Sequence, residues 1–408
     1  MGFVVSEDVY FVAGLRTPFG KYAGALSGIR TDDLLVIVIK KLLERLNIPG
    51  DAINEVVTGC VNQSGEDNRN VARMVTLLAG LPKEIPAITV NRLCSSGLSA
   101  INYGVRSIIT GDNDLVLVSG VESMSRAPYV MAKPTRAFAR PSPEVFDSAI
   151  GWRFVNPKFQ DSYPPIEMGE TAERVASLYQ ISREDQDDFA LNSHNRAIAA
   201  YQSGFYNNHV LDMRELSSGT VPVEALIARD ESLRLNISID SLAKLKPAFV
   251  SQGTVTAGNS SPLSDGAAVI LIANLTACTR YGLRPIARYV ASGNAGVDPA
   301  IMGIGPVPAT QKALKKSGWS LDSIDHFDIN EAFAAQVLAV QRALDFPMEK
   351  LNQEGGAISI GHPLGASGIR LALTAMTRMT NKSGSRRALL SACVGVGQGE
   401  TILIESCA

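Results

Sequence analysis

The chain has 408 residues, a formal net charge of −2 and 19% charged residues. Its length exceeds one ordinary hydrophobic core, so two or three subdomains are expected, and the near-neutral balance gives no reason to expect nucleic acid or a membrane surface as partner. Five scattered cysteines without a C-x-x-C pair argue against a disulfide framework or zinc knuckle, and no run of about 18 apolar residues is present to span a membrane.

The first third alternates strand-like and helical patterns. Val9–Ala13 reads as a strand, and "DLLVIVIKKLLERL" (33–46) as a buried helix. "EVVTGCV" and "AITVN" are strand-like, and the second runs into "NRLCSSG" (91–97). Leu98, Ile101, Val105, Ile108 and Ile109 then recur at helical spacing, Gly111 closes that helix, and "DLVLVSG" (114–120) is a buried strand. Strand, helix and strand at this pitch predict a parallel α/β sheet.

From about Ser123 to Pro165 the chain is rich in proline, arginine and aromatics. Two helices follow, the second opened by a capping box of Ser182 and Asp185. Residues 122–250 are expected to form an inserted loop subdomain. The last third repeats the first: "GGAISIGHPLGASGIRLALTAMTRM" reads as strand, glycine loop and helix, and "RRALLSACVGVG" as the next strand. Ser95-Ser96-Gly97 before one helix matches Ala366-Ser367-Gly368 before the other. The pattern predicts two duplicated α/β halves, one at 1–121 completed by about 251–276, the other at 277–408.

Four loops pair small residues with one reactive group: "NRLCSSG", "DINEAFAAQ" (328–336), "IGHPLGASG" (360–368) and "SACVGVGQG" (391–399). Loops at strand ends are where α/β sheets bind ligands. Free cysteines mostly pack as small hydrophobes. Cys94, however, is expected at a helix N-terminus, whose N–H groups and dipole lower a thiol pKa. His362 is fixed between Gly361 and Pro363 and could take the thiol proton. His194, His209 and His326 read as surface or structurally satisfied histidines. Cys393 ends an apolar strand but is followed at once by alternating glycines. Asn330 is equally a helix cap or a polar site group.

Cys94 in "NRLCSSG", Asn330 in "NEAFA", His362 in "GHPLGASG" and Cys393 in "CVGVGQG", in that order, resemble the thiolase family. "RTPFGKYAGAL" (16–26), "SGVESMSRAP" (119–128) and "GTVTAGNSSPLSDGAA" (253–268) extend the resemblance over nearly the whole chain. It implies a layered αβαβα core and an acyltransferase that makes or breaks the carbon–carbon bond of a 3-oxoacyl-CoA. Coenzyme A would be a substrate, with no cofactor or metal, in a cytoplasmic homodimer or homotetramer. It implies that Cys94 carries the acyl group and that His362 activates it. Cys393 would move the α-carbon proton. His362 and a water on Asn330 would bind the enolate oxygen, and the N–H groups of Cys94 and Gly395 the tetrahedral oxyanion. Arg234, Ser241, Phe249 and Ser261 match positions that contact coenzyme A; Met168, Met302, Ala332 and Phe333 match the pocket around the thioester.

The chain departs from the common family pattern at Glu167, where many members have histidine, and at Ser95 and Val396, where many have glycine. "AIGWRFVNPKF" (149–159) with "CVGVGQG" looks most like thiolases that cleave 3-oxoadipyl-CoA. Arg126, Lys133, Arg136, Arg140 and Arg153 are candidate counter-charges for that substrate's carboxylate; acetoacetyl-CoA and medium-chain substrates stay open. A decarboxylating ketosynthase-like condensing enzyme, or a Cys-His-Asn hydrolase, is the alternative. A hydrolase would leave Cys393 and its glycines without a task.

Overall fold

The computed structural model describes residues 7–407, apart from 138–139, 141–142, 217–220, 382–383 and 385. In chain order the strands are β1 (Tyr10–Arg16), β2 (Gly20–Lys21), β3 (Glu55–Gly59), β4 (Ala87–Val90), β5 (Leu115–Ser123), β6 (Tyr129–Met131), β7 (Val145–Asp147), β8 (Ser264–Ala273), β9 (Ala287–Gly296), β10 (His326–Ile329), β11 (Arg387–Val394) and β12 (Gln398–Ser406). The helices are α1 (Thr31–Leu46), α2 (Val71–Leu78), α3 (Ser96–Ile109), α4 (Pro157–Ser162), α5 (Met168–Leu178), α6 (Arg183–Gln202), α7 (Ile239–Ala243), α8 (Leu275–Tyr281), α9 (Pro306–Ser317), α10 (Ala334–Leu344), α11 (Ala357–Ile360) and α12 (Leu364–Asn381).

The main sheet runs β10-β11-β12-β9-β1-β8-β5-β3-β4, with β2 beside β8. Among the described residues, its two halves join where Tyr10 and Phe11 of β1 pair with Arg288 and Ala287 of β9. The sheet is mixed, which corrects the expectation of a parallel one. β3 is parallel to β4 and β5, and β10 to β11, whereas β8 runs antiparallel between β1 and β5 and β12 antiparallel to β11 and β9. Strand β8 returns from the far side of the insertion, and no local pattern encodes the direction from which a distant strand arrives.

Side-chain alternation builds the layers, because successive strand residues face opposite ways. Leu115, Leu117, Val269 and Leu271 face an outer core with α1, while Val116, Val118, Ile270 and Ile272 face the middle. Leu390, Ile402 and Ile404 of the other half face the same middle layer, and Leu389 and Leu403 face an opposite outer core with α10. The middle is filled by α3 and α12, through Leu98, Ile101, Val105, Ile369, Leu373 and Met376. The result is the layered α/β core expected.

The glycine-loop stretch before His362 corrects a second expectation. Residues Ala357–Ile360 form a helical turn, not a strand. The Glu331 carboxylate accepts from the Ile358 N–H at 3.2 Å, and Gly361, at φ 110, ends the turn. The capping box of Ser182 and Asp185 opens α6 as expected.

Candidate active site

The two middle helices meet at their N-termini through glycines. A Cβ on Gly97 would lie 2.8 Å from the Gly365 carbonyl oxygen and 3.0 Å from the Gly368 Cα. Only side-chain-free positions allow backbones this close. The matched tripeptides of the two halves therefore touch, and this seam brings the Cys94 and His362 loops side by side. Glu122, at the end of β5, ties the loop after β3 to the start of α12: its carboxylate accepts from the N–H groups of Val61, Asn62 and Gly365 at 2.9–3.1 Å. Burial pushes its pKa up to about 7 against those three donors. Cys60 and Asp67 lie within 4.8 Å of Glu122. They are tied into the same loop, Cys60 donating to the Asn62 carbonyl and Asp67 accepting from the Gly65 N–H.

Cys94 lies one residue before the Ser95 N-cap of α3 and is only partly buried. The expectation of a lowered thiol pKa is overturned: it is raised. Burial is the largest cause; the N–H groups of Gly395 and of Cys94 itself oppose it, and Glu122 adds to it. Outside the first helical turn, the dipole does not compensate the lost solvation. The Gly395 N–H is thus close to the Cys94 sulfur. Cys393, fully buried at the end of β11, has its pKa raised by burial and then by Cys94, so the two thiols are electrostatic neighbours. All five cysteines are free.

His362 is oriented from three sides. Its N–H donates to Ser264 Oγ at 3.0 Å, its Nδ1 lies 2.6 Å from Ser367 Oγ, and Asn330 Nδ2 lies 3.2 Å from its Nε2. Ser367 has one proton and donates it to the Pro363 carbonyl at 2.9 Å, so it accepts from Nδ1–H, and the Nε2 lone pair faces the Asn330 amide N–H. Arg370 Nη2 donates to Asn330 Oδ1 at 3.1 Å, which turns the Asn330 amide nitrogen toward the imidazole. Burial, then the Arg370 charge, pushes the His362 pKa down to about 3. The cap reading of Asn330 falls: α10 begins only at Ala334, after an N-cap Phe333 that offers no side-chain cap bond.

Met302, Ala332, Phe333 and Cys393 share one apolar cluster, with Met168 at its edge. Met168 Sδ would lie 3.6 Å from a Cβ on Gly395. Phe249 meets Phe333 edge-on at 6.1 Å, and the Ser261 N–H donates to the Ala332 carbonyl at 3.0 Å. Arg234 stands farther out, on a cavity of about 470 Å³ that Lys21, His194, Gly258 and Ser260 also line. Ser241 is not brought to that cavity; it is exposed, and its hydroxyl closes the capping box of α7. All four histidines are buried, so the surface reading of His194 and His209 is corrected. Arg126 of the basic stretch is taken by Glu66, and Arg153 donates to the Ser148 carbonyl at 3.2 Å. Arg126 is thereby neutralised, while the Arg153 bond is to a neutral carbonyl and leaves its charge uncompensated. Sequence reasoning missed Ser264, Arg370 and Glu122, and took Ser367 only as a mark of duplication.

Two thiols and an imidazole at the joint of a duplicated α/β core are the equipment of an enzyme that carries acyl groups on cysteine. Residues 9–275 match the family model for the thiolase N-terminal domain and residues 283–406 that for the thiolase C-terminal domain. The chain belongs to the thiolase family. It is 48% identical over 402 residues to a β-ketoadipyl-CoA thiolase of Escherichia coli, covering 98% of this chain and 99% of that one. It is 46% identical over 404 residues to a β-ketoadipyl-CoA thiolase of Pseudomonas aeruginosa, with 98% and 100% covered. Human mitochondrial 3-ketoacyl-CoA thiolase in complex with CoA superposes with a TM-score of 0.89 at 39% identity, over 99% of both chains. The protein is accordingly an acyltransferase that cleaves a 3-oxoacyl-CoA by thiolysis and releases acetyl-CoA.

Proposed function

We propose that Cys94 attacks the 3-oxo carbon and carries the acyl group, with His362 Nε2 taking the thiol proton. The carbon–carbon bond breaks, and Cys393 gives its proton to the α-carbon, so acetyl-CoA leaves. A second coenzyme A then attacks the acyl-Cys94 thioester, and its thiol proton returns to the enzyme. His362, once protonated, and a water on Asn330 hold the enolate oxygen; the N–H groups of Cys94 and Gly395 hold the tetrahedral oxyanion. What supports this reading is geometry: the glycine seam sets the Cys94 loop beside that of His362, whose ring Asn330 Nδ2 approaches at 3.2 Å, a donor fixed in advance by Arg370. A preorganised donor of this kind contributes about 3 kcal/mol.

Coenzyme A is a substrate, and the proposed steps call on no metal or further cofactor, since protein groups, one water and the coenzyme A thiol supply the protons and donors they use. Arg234, on the 470 Å³ cavity, meets the nucleotide end of coenzyme A, while Phe249, Ser261 and Ser241, which do not line that cavity, are assigned to coenzyme A by family position alone. Met168, Met302, Ala332 and Phe333 line the thioester pocket. Residues 1–121 with about 251–276 form one half, 277–408 the other, and 122–250 the insertion that carries coenzyme A; the placement of β8 between β1 and β5 supports this division. Strand β4 pairs with β3 alone among the described residues, and Met74, Leu77 and Leu78 of α2 beside it are nearly half exposed. An open edge next to exposed apolar side chains favours a homodimer or homotetramer. Free thiols favour the cytoplasm, and no helix among the described residues is long and apolar enough to cross a membrane.

The acyl chain is 3-oxoadipyl, on the names of relatives at 46–48% identity, with exposed Lys133, Arg136 and Arg140 as counter-charge. A thiolysis panel of acetoacetyl-, 3-oxohexanoyl- and 3-oxoadipyl-CoA tests it. The highest kcat/KM is expected for 3-oxoadipyl-CoA, and equal or better turnover of 3-oxohexanoyl-CoA would overturn the assignment.

A further inference from the structure

Glu400 is a carboxylate buried to 1% exposure, seven positions beyond Cys393. Its backbone belongs to the hairpin that carries Cys393 and Gly395. It pairs with Ala392 in the β11–β12 ladder, and Ser391 Oγ donates to its carbonyl at 2.9 Å. Its side chain reaches the opposite way, to the helix behind Cys94. One carboxylate oxygen accepts from the hydroxyls of Ser95 and of Ser99, the latter at 2.6 Å, and the other accepts from Asn102 Nδ2 at 2.7 Å. The three donors sit at i, i+4 and i+7, one face of α3. Arg92 Nε approaches the carboxylate at 3.6 Å and donates to Ser99 Oγ at 2.7 Å. Ser95, next to Cys94, stands where many family members have glycine and no side chain to offer.

We propose that Glu400 is a positioning residue that rivets the Cys393–Gly395 hairpin to the helix following Cys94, and so fixes the Gly395 N–H against the Cys94 sulfur. It touches neither substrate nor thiol; it acts through Ser95 and the helix start. The need for it follows from the local backbone. Leu93 and Val396, beside the two loops' reactive groups, adopt left-handed φ of 46° and 61°. Neither loop is held by regular ladder bonds at those points, and a misplacement of about 1 Å at an oxyanion donor costs on the order of 100-fold in rate. The proposal rests on Cys94 being the nucleophile.

The test uses full-length wild type, Glu400→Gln, Ser95→Ala and the double variant, with the single-turnover acylation rate and acyl-CoA affinity measured per folded site. Acyl attachment is located by mass spectrometry. Glu400→Gln is expected to acylate about 10–100-fold more slowly with affinity within about twofold of wild type, Ser95→Ala about 10-fold more slowly. The double variant is expected to be little slower than Glu400→Gln, because both remove one link. Wild-type acylation rates per folded site in both single variants, or effects that simply multiply, would overturn the proposal; a contact that only stabilises the fold lowers the melting temperature and leaves that rate unchanged. If Glu400→Gln does not fold, Ser95→Ala decides alone. Wild type acylated at a residue other than Cys94 defeats the nucleophile assignment instead, which keeps the two failures apart.

Discussion

The two thiol loops occupy comparable places and are built in opposite ways. Cys94 lies at a helix start, is partly open, and is surrounded by polar side chains that end on buried Glu400. Cys393 lies at a strand end, is wholly buried, and is packed among Met302, Ala332 and Phe333. One thiol therefore sits beside a hydrogen-bonded frame, and the other against an apolar wall. Burial raises both thiol pKa values, so neither rests as a thiolate at neutral pH. Each must be deprotonated during turnover. That suits a group which alternates between acid and base, and it makes the proposed nucleophile depend on His362.

The sharpest way to break this comparison is to remove each sulfur. Cys94→Ser is expected to abolish acyl-enzyme, a loss of about a thousandfold or more in turnover. Cys393→Ala should still trap an acyl group on Cys94 from acyl-CoA yet fail at the carbon–carbon bond. Mass spectrometry with half-reaction kinetics checks both, and acylation of Cys94→Ser at the normal rate would remove the assignment. Next in size, Asn330→Ala is expected to slow the carbon–carbon step about 100-fold while acylation changes less; a loss confined to acylation would exchange the two roles.

Two pH experiments sharpen the electrostatics. Iodoacetamide inactivation of the free enzyme should keep accelerating above pH 9, since Cys94 titrates above the ordinary thiol range; a plateau near pH 7 would point to a standing thiolate. For stability, the four buried histidines titrate lower in the fold than in the unfolded chain, His194 and His326 at about 4 and His362 at about 3. Between pH 5 and 6.5 the unfolded chain binds those protons and the fold does not, so stability rises with pH. Glu122, at about 7, and Asp67, at about 6, are protonated in the fold and oppose this. Asp265, Glu331 and Glu55, also raised by burial, oppose it further, so the histidine share is read by difference: the urea midpoint of His194→Gln should climb less than that of wild type across that window. The smallest effect is at Val396, whose φ of 61° is costly for a β-branched residue. Val396→Gly should stabilise the fold by about 1 kcal/mol, read as a shift in the urea midpoint.

Much of the site was legible because its residues sit in short loops beside small residues. Cys94, Asn330, His362 and Cys393 each stood out locally, and the tripeptides at 95–97 and 366–368, read only as a mark of duplication, prove to form the glycine seam. What escaped was held by pairs far apart in sequence. Glu400 meets Ser95 across 305 positions, and Arg370 reaches Asn330 across 40; no spacing rule covers such distances. The Cys94 pKa was misjudged because position along a helix was weighed without the surrounding desolvation. The strand expected at 357–360 failed because alternating small and apolar residues fit a single helical turn as well as an extended segment.

The Asn330–Arg370 pair carries one more consequence. Behind many catalytic imidazoles stands a carboxylate, which makes an imidazolium comfortable. Here, among the described residues, the ring's company is a hydroxyl, an amide and a nearby guanidinium. A proton arriving on His362 finds no anion to keep it and is under electrostatic pressure to move on, so in the proposed mechanism the ring acts as a relay with a short memory, handing each proton forward before the next substrate arrives.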